Sequence, residues 1–477
     1  MLDQLRDMGV AVHPHLYDTD YDFSGGQPFD TQRHTVEHLT ENPRAYVLNS
    51  MGTGKTKAGL WAYDFLRRVK AVNRMLVVCP LSGMQFTWGR EIFRTVPQYK
   101  YNVLHGTRAK RFEKLAEERD IYIVNHDGLE IIADEIVKRT DIDLFLIDEL
   151  AVYRNKTDRS ETAEHVARSK PIVWGFTGAP MPNSPTDVWR QARIITPHTV
   201  PRFFGTFRDM TMLRLNQFKW VPKQGAIDKA LDAMRPNVRF TLDDVVELPP
   251  FISRIEQVAM GKKQEAIYRA VRKDCYAAVQ AGTITAANAG AVMNKLLQVS
   301  LGWVYLNDGK TAQFDNDERN QALIDILRAA SNKVIVFVPF THALYGLRTL
   351  LDKAGISAEV VNGETPSKQR DRIFNAFQNF DEPAVLLAHP QCCAHSITLT
   401  RADTVVWYGP TTSAEIYDQA NARIRRVGQT HKQLFLHLCA TPVERHVYNL
   451  LEKKIAVQDT LLKLIENETQ IEFEGAL

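Results

Sequence analysis

A glycine-bearing turn between an apolar run and a helix-forming segment constrains the fold of this chain more than any other stretch. The turn spans residues 49–56, follows the apolar run 45–48 and precedes the helix-forming segment 57–68. When a strand, a turn of this composition and a helix follow in that order, backbone N–H groups and the helix N-terminus face one concavity. Such a concavity binds nucleotide phosphates, so the sequence predicts a phosphate-binding loop here.

The residues of the turn each support that prediction. Gly52 and Gly54 leave room for backbone N–H groups to approach phosphates, and Lys55 can reach the β- and γ-phosphates. Thr56 can ligate Mg²⁺ through its hydroxyl. The first glycine of the usual eight-residue pattern is Asn49 here, so an ordinary strand-to-helix turn stays open until the rest of the chain is considered.

Composition places the chain among ordinary globular proteins. Of its 477 residues, 44% are apolar and 24% are charged, and the formal net charge is only +3. The five cysteines form no Cys-x-x-Cys pair, which argues against zinc or a disulfide framework and fits a reducing compartment. No apolar run approaches about 18 residues, so we expect no membrane span. Because the charges nearly balance, any nucleic acid must be bound in a local groove.

Short apolar runs alternate with helix-length segments over most of the chain. They lie at 75–79, 121–125, 144–147 and 172–176 in the first half, and at 334–338, 359–361, 385–388, 404–408 and 434–438 in the second. Continuous apolar runs are typical of parallel strands that are covered on both faces. The sequence therefore predicts an α/β fold with two parallel-sheet lobes, helical insertions and a C-terminal helix.

The segments between the runs set the predicted boundaries. Consecutive prolines at 249 and 250 mark the end of the first lobe, because proline interrupts regular structure. We predict an N-terminal extension at 1–28, a first lobe at 29–248, a helical insertion and linker at 249–330, a second lobe at 331–445 and a C-terminal helical segment at 446–477.

Two adjacent acids close one of the predicted strands. Asp148 and Glu149 follow the apolar run 144–147, at the sheet edge where the phosphate-binding loop is also expected. Asp148 can hold Mg²⁺ directly or through water, and Glu149 can orient or deprotonate an attacking water. Alone, the pair is equally typical of a solvated turn. With Lys55 and Thr56 on what we predict to be a neighbouring strand, it indicates nucleotide hydrolysis.

An arginine-rich stretch near the end of the second lobe has the chemistry to complete such a site. Residues 419–429 contain three arginines and two glutamines. On a helix, Arg423 and Arg426 share a face because they lie three positions apart. A planar guanidinium suits bidentate phosphate contact, and arginines from a second lobe can act as arginine fingers on a γ-phosphate. A solvated charged face is the alternative.

In order and spacing, these residues resemble the motifs of superfamily 2 helicases, and more narrowly those of the Swi/Snf-type DNA-dependent ATPases. The resemblance extends from about residue 29 to about residue 463 and is most specific in the Arg-x-Gly-Gln ending of the last motif. It implies two RecA-like lobes that bind and hydrolyse ATP with Mg²⁺ in a cleft between them. The ATP and Mg²⁺ residues that it assigns are Gln32, Gly52, Thr53, Gly54, Lys55, Thr56 and Asp148, and the catalytic residues are Glu149, Gln419, Arg423 and Arg426.

Other positions resemble the family or depart from it. Trp88 and Glu91 look like the Trp-x-x-Glu that follows motif Ia, and residues 177–180 are similar to motif III. Ala151 stands where the family has a histidine, and the second-lobe segment 394–400 lacks the glycines of motif V. These departures leave the phosphate chemistry intact and indicate a divergent, phage-type branch.

The resemblance also implies a nucleic-acid track. Many contacts along it would go to phosphates, which position a strand without reading its sequence. The matching residues are Pro80, Ser82, His105, Gly106, Asn125, Phe340, Thr398 and Thr400. Interleaved cations and aromatic residues can also bind strands, although such residues are as often a core with solvated rims. Those between the lobes are Arg202, Phe203, Phe204, Arg208, Arg214, Lys219 and Trp220.

Taken together, the resemblance implies a DNA-dependent ATPase that translocates on mainly double-stranded DNA in replication, recombination or repair. A strand-separating or branch-migrating helicase is an alternative, although the sequence shows no obvious wedge hairpin. An ATP-gated DNA-binding scaffold subunit is another, which the altered motifs keep open. We expect sequence-independent binding of duplex or branched DNA, replication or recombination proteins as partners, and a monomer in isolation. The expected location is the cytoplasm of a bacterial or phage-infected cell, or another place inside a cell.

Overall fold

The chain divides into two compact units, with the break between Glu247 and Leu248. The structure, a computed structural model, describes residues 16, 21–216, 220–245, 248–280, 286–305, 311–314, 316–393 and 397–453. Most of the predicted N-terminal extension and the predicted helix beyond residue 453 lie outside the described residues. Among the described helices, none combines the length and apolar composition that crossing a bilayer requires.

Helices and strands alternate along the first unit. They are α1 (Asp30–Glu41), β1 (Arg44–Val47), α2 (Lys55–Arg68), β2 (Arg74–Cys79), α3 (Arg90–Thr95), β3 (Tyr101–Val103), α4 (Arg108–Ala116), β4 (Ile121–Asn125), α5 (His126–Lys138), β5 (Ile142–Asp148), α6 (Asp158–Arg168), β6 (Ile172–Phe176), α7 (Val188–Ile195), α8 (Phe204–Thr211), β7 (Met212–Arg214), β8 (Trp220–Pro222), α9 (Ala226–Ala233) and β9 (Asn237–Val238). A π-helical turn, Met84–Gly89, runs directly into α3.

The main sheet of the first unit has the strand order β3-β4-β2-β5-β6-β1-β9, and its strands are parallel. This order corrects one prediction, because the strand that ends in Asp148 is separated from β1 by β6. Val47 pairs with Phe176 of β6, and Phe176 pairs with Asp148 of β5 on its other side. The three strands still end at one edge of the sheet, since they run in the same direction.

The apolar runs form strands because both faces of the sheet are covered. On one face, Phe145 and Ile147 of β5 pack in a cluster with residues of α5, α6 and α7. On the other face, Leu144 and Leu146 pack in a cluster with residues of α1 and α2. All four side chains are fully buried. Alternate residues of one strand therefore supply two cores, which is why the run has no polar positions.

The second unit repeats this plan around another parallel sheet, with the order β10-β17-β16-β13-β15-β14. Its elements are β10 (Phe251–Gln257), α10 (Lys262–Gln280), α11 (Ala286–Ser300), β11 (Trp303–Tyr305), β12 (Thr311–Gln313), α12 (Asp317–Ala329), β13 (Lys333–Phe337), α13 (Thr341–Lys353), β14 (Ala358–Val361), α14 (Ser367–Asn379), β15 (Val385–Ala388), α15 (Pro390–Cys393), β16 (Ala402–Trp407), α16 (Ala414–Asn421), β17 (Gln433–Cys439) and α17 (Pro442–Glu452). The sequence predicts a helical linker at 249–330, whereas the structure has a sheet strand, β10, at its start.

A buried ion pair joins the helices of the second unit to its sheet. The guanidinium of Arg319 in α12 donates to both carboxylate oxygens of Glu444 in α17, at 2.8 and 2.9 Å. It also donates to the backbone oxygens of Tyr408, which directly follows β16, and of Leu438 in β17. Glu444 in turn accepts from the backbone of Thr441, which caps α17. Both charged side chains are fully buried, so each depends on the other for its counter-charge.

We expect Glu444→Ala to lower the free energy of unfolding of the second unit by about 3–5 kcal/mol, because Arg319 would keep its charge in a buried site. Guanidinium chloride unfolding followed by circular dichroism measures this change. Glu265→Ala removes the partner of Arg269, a more exposed pair, and is the control. It should cost less than about 1 kcal/mol. A similar small loss in both variants would contradict the role given to the buried pair.

Candidate functional site

The loop between β1 and α2 has the backbone of a phosphate-binding turn. Gly52 and Gly54 have φ angles of 83° and 79°, a left-handed conformation that disfavours other residues. The hydroxyl of Thr53 donates to the backbone oxygen of Ser50 at 2.8 Å and closes the turn on itself. The loop then enters α2 at Lys55, so the N-terminus of a 14-residue helix faces the turn.

Lys55 and Thr56 occupy the first turn of α2. The ammonium group of Lys55 donates to the backbone oxygens of Asn49 and Ser50, at 2.6 and 3.1 Å. It therefore lies over the concave side of the loop. Phosphate oxygens are stronger acceptors for an ammonium group than these carbonyls, because they carry charge. A phosphate in the loop can take their place.

Asn49, which replaces the first glycine of the usual pattern, ties three segments together. Its side-chain nitrogen donates to the hydroxyl of Thr35 in α1 at 3.0 Å, and its side-chain oxygen accepts from the backbone N–H of Phe240 at 2.9 Å. The residue is buried, and both ends of its amide are used. A glycine would leave the Phe240 N–H and the Thr35 hydroxyl without these partners. The departure from the pattern is therefore a structural feature of this loop.

Gln32 lies in α1, and its side chain contacts Gly54 at the end of the same loop. Its side-chain oxygen accepts from the backbone N–H of Phe29 at 3.0 Å, and its side-chain nitrogen donates to the backbone oxygen of Gly54 at 3.4 Å. A Cβ atom on Gly54 would lie only 2.1 Å from that nitrogen. Position 54 thus requires glycine both for its backbone conformation and for the approach of Gln32. The structure brings this residue to the loop, and its assignment as an ATP-binding residue stays a prediction.

The two acids lie at the carboxyl end of β5. Glu149 has a φ of 59° and a ψ of 54°, a left-handed conformation that a residue with a side chain rarely adopts. This backbone turns the chain sharply after Asp148. Burial and the charge of Glu149 raise the pKa of Asp148 to about 6, whereas the Trp88 indole and the charge of Lys55 lower it. The two acids and Lys55 therefore share one electrostatic environment.

Trp88 contacts the acid pair, which the sequence does not disclose. Its indole N–H donates to one carboxylate oxygen of Asp148 at 2.9 Å, across 60 residues of sequence. The ring is fully buried and lies in the π-helical turn Met84–Gly89, which follows the residues resembling motif Ia. Single π-helical turns are frequent at functional sites. The only sequence signal was the Trp-x-x-Glu resemblance, which names the residue but not its partner.

The turn after β6 packs against the phosphate loop. Thr177 is fully buried, and its backbone N–H donates to the oxygen of Val47 in β1 at 3.0 Å. A Cβ atom on Gly178 would lie 3.5 Å from the backbone oxygen of Asn49 and from the backbone nitrogen of Met51. Because β6 separates β1 from β5, this turn lies between the loop and the acids.

The arginine-rich stretch corrects the predicted helical geometry. Helix α16 ends at Asn421, so Arg423 and Arg426 are in the following turns and not on one helical face. They nevertheless share a partner, because both guanidinium groups donate to the backbone oxygen of Ile397, at 3.2 and 2.7 Å. Gln419 lies in the last turn of α16, where its backbone oxygen accepts from the guanidinium of Arg423. Of the motif V segment, residues 394–396 lie outside the described part of the chain.

In the first unit, the predicted nucleic-acid residues differ in accessibility. Pro80 and Ser82 follow β2, and the exposed residues His105 and Gly106 follow β3, all at the edge that carries the phosphate loop. Asn125 is buried at the end of β4, and its side-chain oxygen accepts from the guanidinium of Arg111 at 3.4 Å. The structure therefore gives Asn125 a role inside the unit, whereas the other four residues remain near the surface.

In the second unit, the structure separates the predicted nucleic-acid residues. Phe340 follows β13 and lies beyond the carboxyl end of the sheet. Thr398 and Thr400 precede β16 and lie beyond its amino end, because β13 and β16 are parallel. The hydroxyl of Thr400 also accepts from the side chain of Gln378 at 3.2 Å. These residues do not gather at one edge of this sheet.

A phosphate loop, an acid pair and a hydroxyl-bearing turn at one edge of a parallel sheet define a P-loop nucleoside-triphosphate hydrolase. A family model described as the SNF2-related domain matches residues 35–301, more than half of the chain. A second, described as the helicase conserved C-terminal domain, matches residues 318–428. The chain therefore belongs to the SNF2-related family, and it is an ATP-hydrolysing enzyme of superfamily 2. The predicted Swi/Snf-type family, the α/β fold and ATP hydrolysis are confirmed.

The chain is similar to proteins of several origins. Over 469 residues it is 24% identical to p41 of Acyrthosiphon pisum secondary endosymbiont phage 1, covering 92% of this chain and 99% of that protein. Over 460 residues it is 24% identical to an uncharacterized ATP-dependent helicase of Mycoplasma genitalium, covering 90% of this chain and 43% of that protein. It is also similar to the Sulfolobus solfataricus SWI2/SNF2 ATPase core in complex with dsDNA, with a TM-score of 0.45, 19% identity and coverage of 95% and 97%. The chain thus spans almost all of the phage protein and less than half of the mycoplasma protein.

We expect Trp88→Phe to lower the turnover number for ATP by about 10–100-fold, the usual effect of losing a hydrogen bond that orients a ligating carboxylate. The phenyl ring keeps most of the apolar packing, so the protein should remain folded. Steady-state ATPase kinetics and a thermal unfolding curve measure both quantities.

Trp174→Phe is the matched control for that variant. Trp174 is also fully buried, and its indole N–H donates to the backbone oxygen of Asn42, at the far end of β6 from the site. This variant should keep its turnover within about threefold, because the site carboxylate is untouched. Equal losses in the two variants would show that Trp88 acts only through packing.

Proposed function

We propose that the chain is a DNA-dependent ATPase that translocates on double-stranded DNA, in replication, recombination or repair. The observation that carries this proposal is the convergence of the phosphate loop, the acid pair and the Thr177 turn at one sheet edge. Pro80, Ser82, His105 and Gly106 end neighbouring strands at the same edge. Residues suited to nucleotide and to nucleic acid are thus carried by one rigid sheet.

Nucleotide binding follows from the loop geometry. The backbone N–H groups of residues 52–56 and the ammonium group of Lys55 would hold the β- and γ-phosphates, and by family resemblance Gln32 would recognise the base. The Thr56 hydroxyl and the Asp148 carboxylate are hard oxygen ligands and fit Mg²⁺, which also takes phosphate oxygens and water. Burial and the charge of Glu149 raise the pKa of Asp148, and a bound cation would offset both effects, which supports this assignment. Bound Mg²⁺ would neutralise charge that develops on the phosphates.

Hydrolysis requires a base and a group that stabilises the transferred phosphoryl group. Glu149 directly follows Asp148, the proposed cation ligand. Its left-handed backbone fixes the direction in which its side chain leaves the main chain. We therefore assign Glu149 to orient and deprotonate the attacking water. By family resemblance, Arg423 and Arg426 would neutralise the γ-phosphate in the transition state. Gln419 would hold Arg423 in place, because the backbone oxygen of Gln419 accepts a hydrogen bond from the Arg423 guanidinium.

A translocating motor should hydrolyse ATP faster on longer DNA, because each encounter supports more steps. We expect the ATPase rate at saturating DNA to be higher on long blunt duplexes than on duplexes just long enough to bind. Phosphate release on short and long duplexes, single strands and forks measures this dependence. Glu149→Gln, which should bind ATP without turning it over, is the control. Equal rates on short and long duplexes would favour an ATP-gated scaffold subunit, and a higher rate on single strands would overturn the duplex assignment.

The arginine assignment is tested by neighbouring residues. We expect Arg426→Ala to reduce the turnover number by about 10³-fold or more, the usual cost of losing an arginine finger, with DNA binding retained. Arg425→Ala is the matched control, because the guanidinium of Arg425 stacks on the Phe251 ring at 4.4 Å. The control should lose much less activity. ATPase and DNA-binding assays on both variants decide the assignment, and unimpaired hydrolysis by Arg426→Ala would refute it.

A further inference from the structure

One segment of the first unit carries an unusual concentration of positive charge. Residues 202–216 and 220–225, here called the basic arm, contain four basic residues and one acidic residue, a formal net charge of +3. The whole chain also has a net charge of +3, so everything outside the arm sums to zero. A local excess of this size on a nearly neutral protein is an electrostatic footprint for a polyanion.

The basic arm is an ordered helix and hairpin. After α8, strands β7 and β8 pair antiparallel, with Leu213 opposite Val221 and Arg214 opposite Trp220. The backbone N–H of Lys223 donates to the oxygen of Thr211 at 2.9 Å, which joins the end of the hairpin to the end of α8. The sequence shows no obvious wedge hairpin, whereas the structure has a hairpin here. Residues 217–219, including Lys219, lie outside the described part and are not used.

The arm is anchored in the unit by a few buried side chains. Phe207 and Met212 are buried, and Phe207 belongs to the core cluster beneath the sheet. Phe204 stacks edge-on against Trp189 of α7, with ring centroids 5.6 Å apart. Two strands of three residues are not stable by themselves in water. The contacts of α8 therefore fix the direction of the hairpin.

Two cations of the arm are stacked on one indole ring. The guanidinium of Arg208 lies 3.9 Å from the centroid of Trp220, and that of Arg214 lies 5.9 Å away. Arg208 also pairs with Asp209, the one acid of the arm, at 3.3 Å. Stacking limits the rotamers of long side chains, so these guanidinium groups are ordered before a ligand arrives.

Apolar side chains of the arm also remain in solvent. The exposed fractions are 68% for Phe203, 51% for Leu213 and 56% for Leu215. Exposed apolar groups and ordered cations on one short segment indicate an interaction surface. Phosphates alone would use the cations and leave the apolar groups in water. Unpaired nucleotides use both, because their bases stack on aromatic rings and guanidinium planes while their phosphates pair with cations.

We propose that the basic arm binds unpaired nucleotides next to a duplex, so that the protein prefers forked or branched DNA to blunt duplex. Arg208 and Arg214 contact the backbone of the displaced strand, and Phe203 contacts its bases. Blunt duplex hides its base faces in the stack and so cannot use the apolar part of the surface. This proposal rests on the proposed DNA-dependent function and names a substrate structure for it.

Binding of two DNAs of equal length, one forked and one blunt, tests the proposal by fluorescence anisotropy over a range of salt concentrations. The wild-type chain should bind the fork more tightly. Arg208→Ala/Arg214→Ala should weaken fork binding by about tenfold and reduce the slope of log affinity against log salt by about 1.5. Phe203→Ser, a change at an exposed position, should also weaken fork binding, with the salt slope unchanged. Both variants should bind blunt duplex within about twofold of the wild type.

The matched control is Lys138→Ala/Arg168→Ala, which removes two cations that are 72% and 63% exposed elsewhere on the first unit. It should leave the preference for forks unchanged. Equal fork and blunt affinities in the wild type, or equal losses for both DNAs in the arm variants, would overturn the proposal. ATP hydrolysis stimulated by blunt duplex separates the proposed fork preference of the basic arm from the proposed DNA-dependent ATPase function. It should persist in the arm variants, and its absence in the wild type would instead refute the proposed function.

Discussion

Parallel strand pairing is the constraint on which the rest of the first unit depends. Because β1, β5 and β6 run in one direction, the phosphate loop, the acids and the Thr177 turn end at the same edge. Their order matters as much as their direction. β6 separates the loop from the acids, so the backbone N–H of Thr177 bonds to β1 while Phe176 pairs with Asp148. The strand between the two chemical groups is in contact with both.

The site combines charge with strain in a small volume. Asp148 and Glu149 are adjacent acids, and the left-handed backbone of Glu149 costs about 1–3 kcal/mol that the surrounding fold must offset. The buried indole of Trp88 donates to one carboxylate oxygen of Asp148. The acid pair is therefore in contact with a residue from the π-helical turn, well outside the loop. The loop and the acid pair alone do not reveal this contact with a buried packing residue.

Local patterns predict the fold well because they are set by local physics. The apolar runs became strands with small shifts at their ends, and Gly52 and Gly54 have the conformations that a phosphate loop needs. Strand order is not predicted by local patterns, because nothing in the run at 172–176 indicates which strands flank it. The same applies to Trp88 and Asn125, whose partners lie 60 and 14 residues away. The end of α16 was also not predictable from the sequence. The polar pattern continues beyond Asn421, whereas the helix ends there.

The hydrogen bonds of Asn49 have a mechanical consequence. Residues 238–240 run beside the end of β1 and the phosphate loop. Three bonds join them there, from the backbone N–H groups of Leu48 and Ser50 to Val238 and Phe240, and from the Phe240 N–H to the Asn49 side chain. A displacement of residues 238–240 would therefore act directly on the loop, because these hydrogen bonds would have to stretch or break.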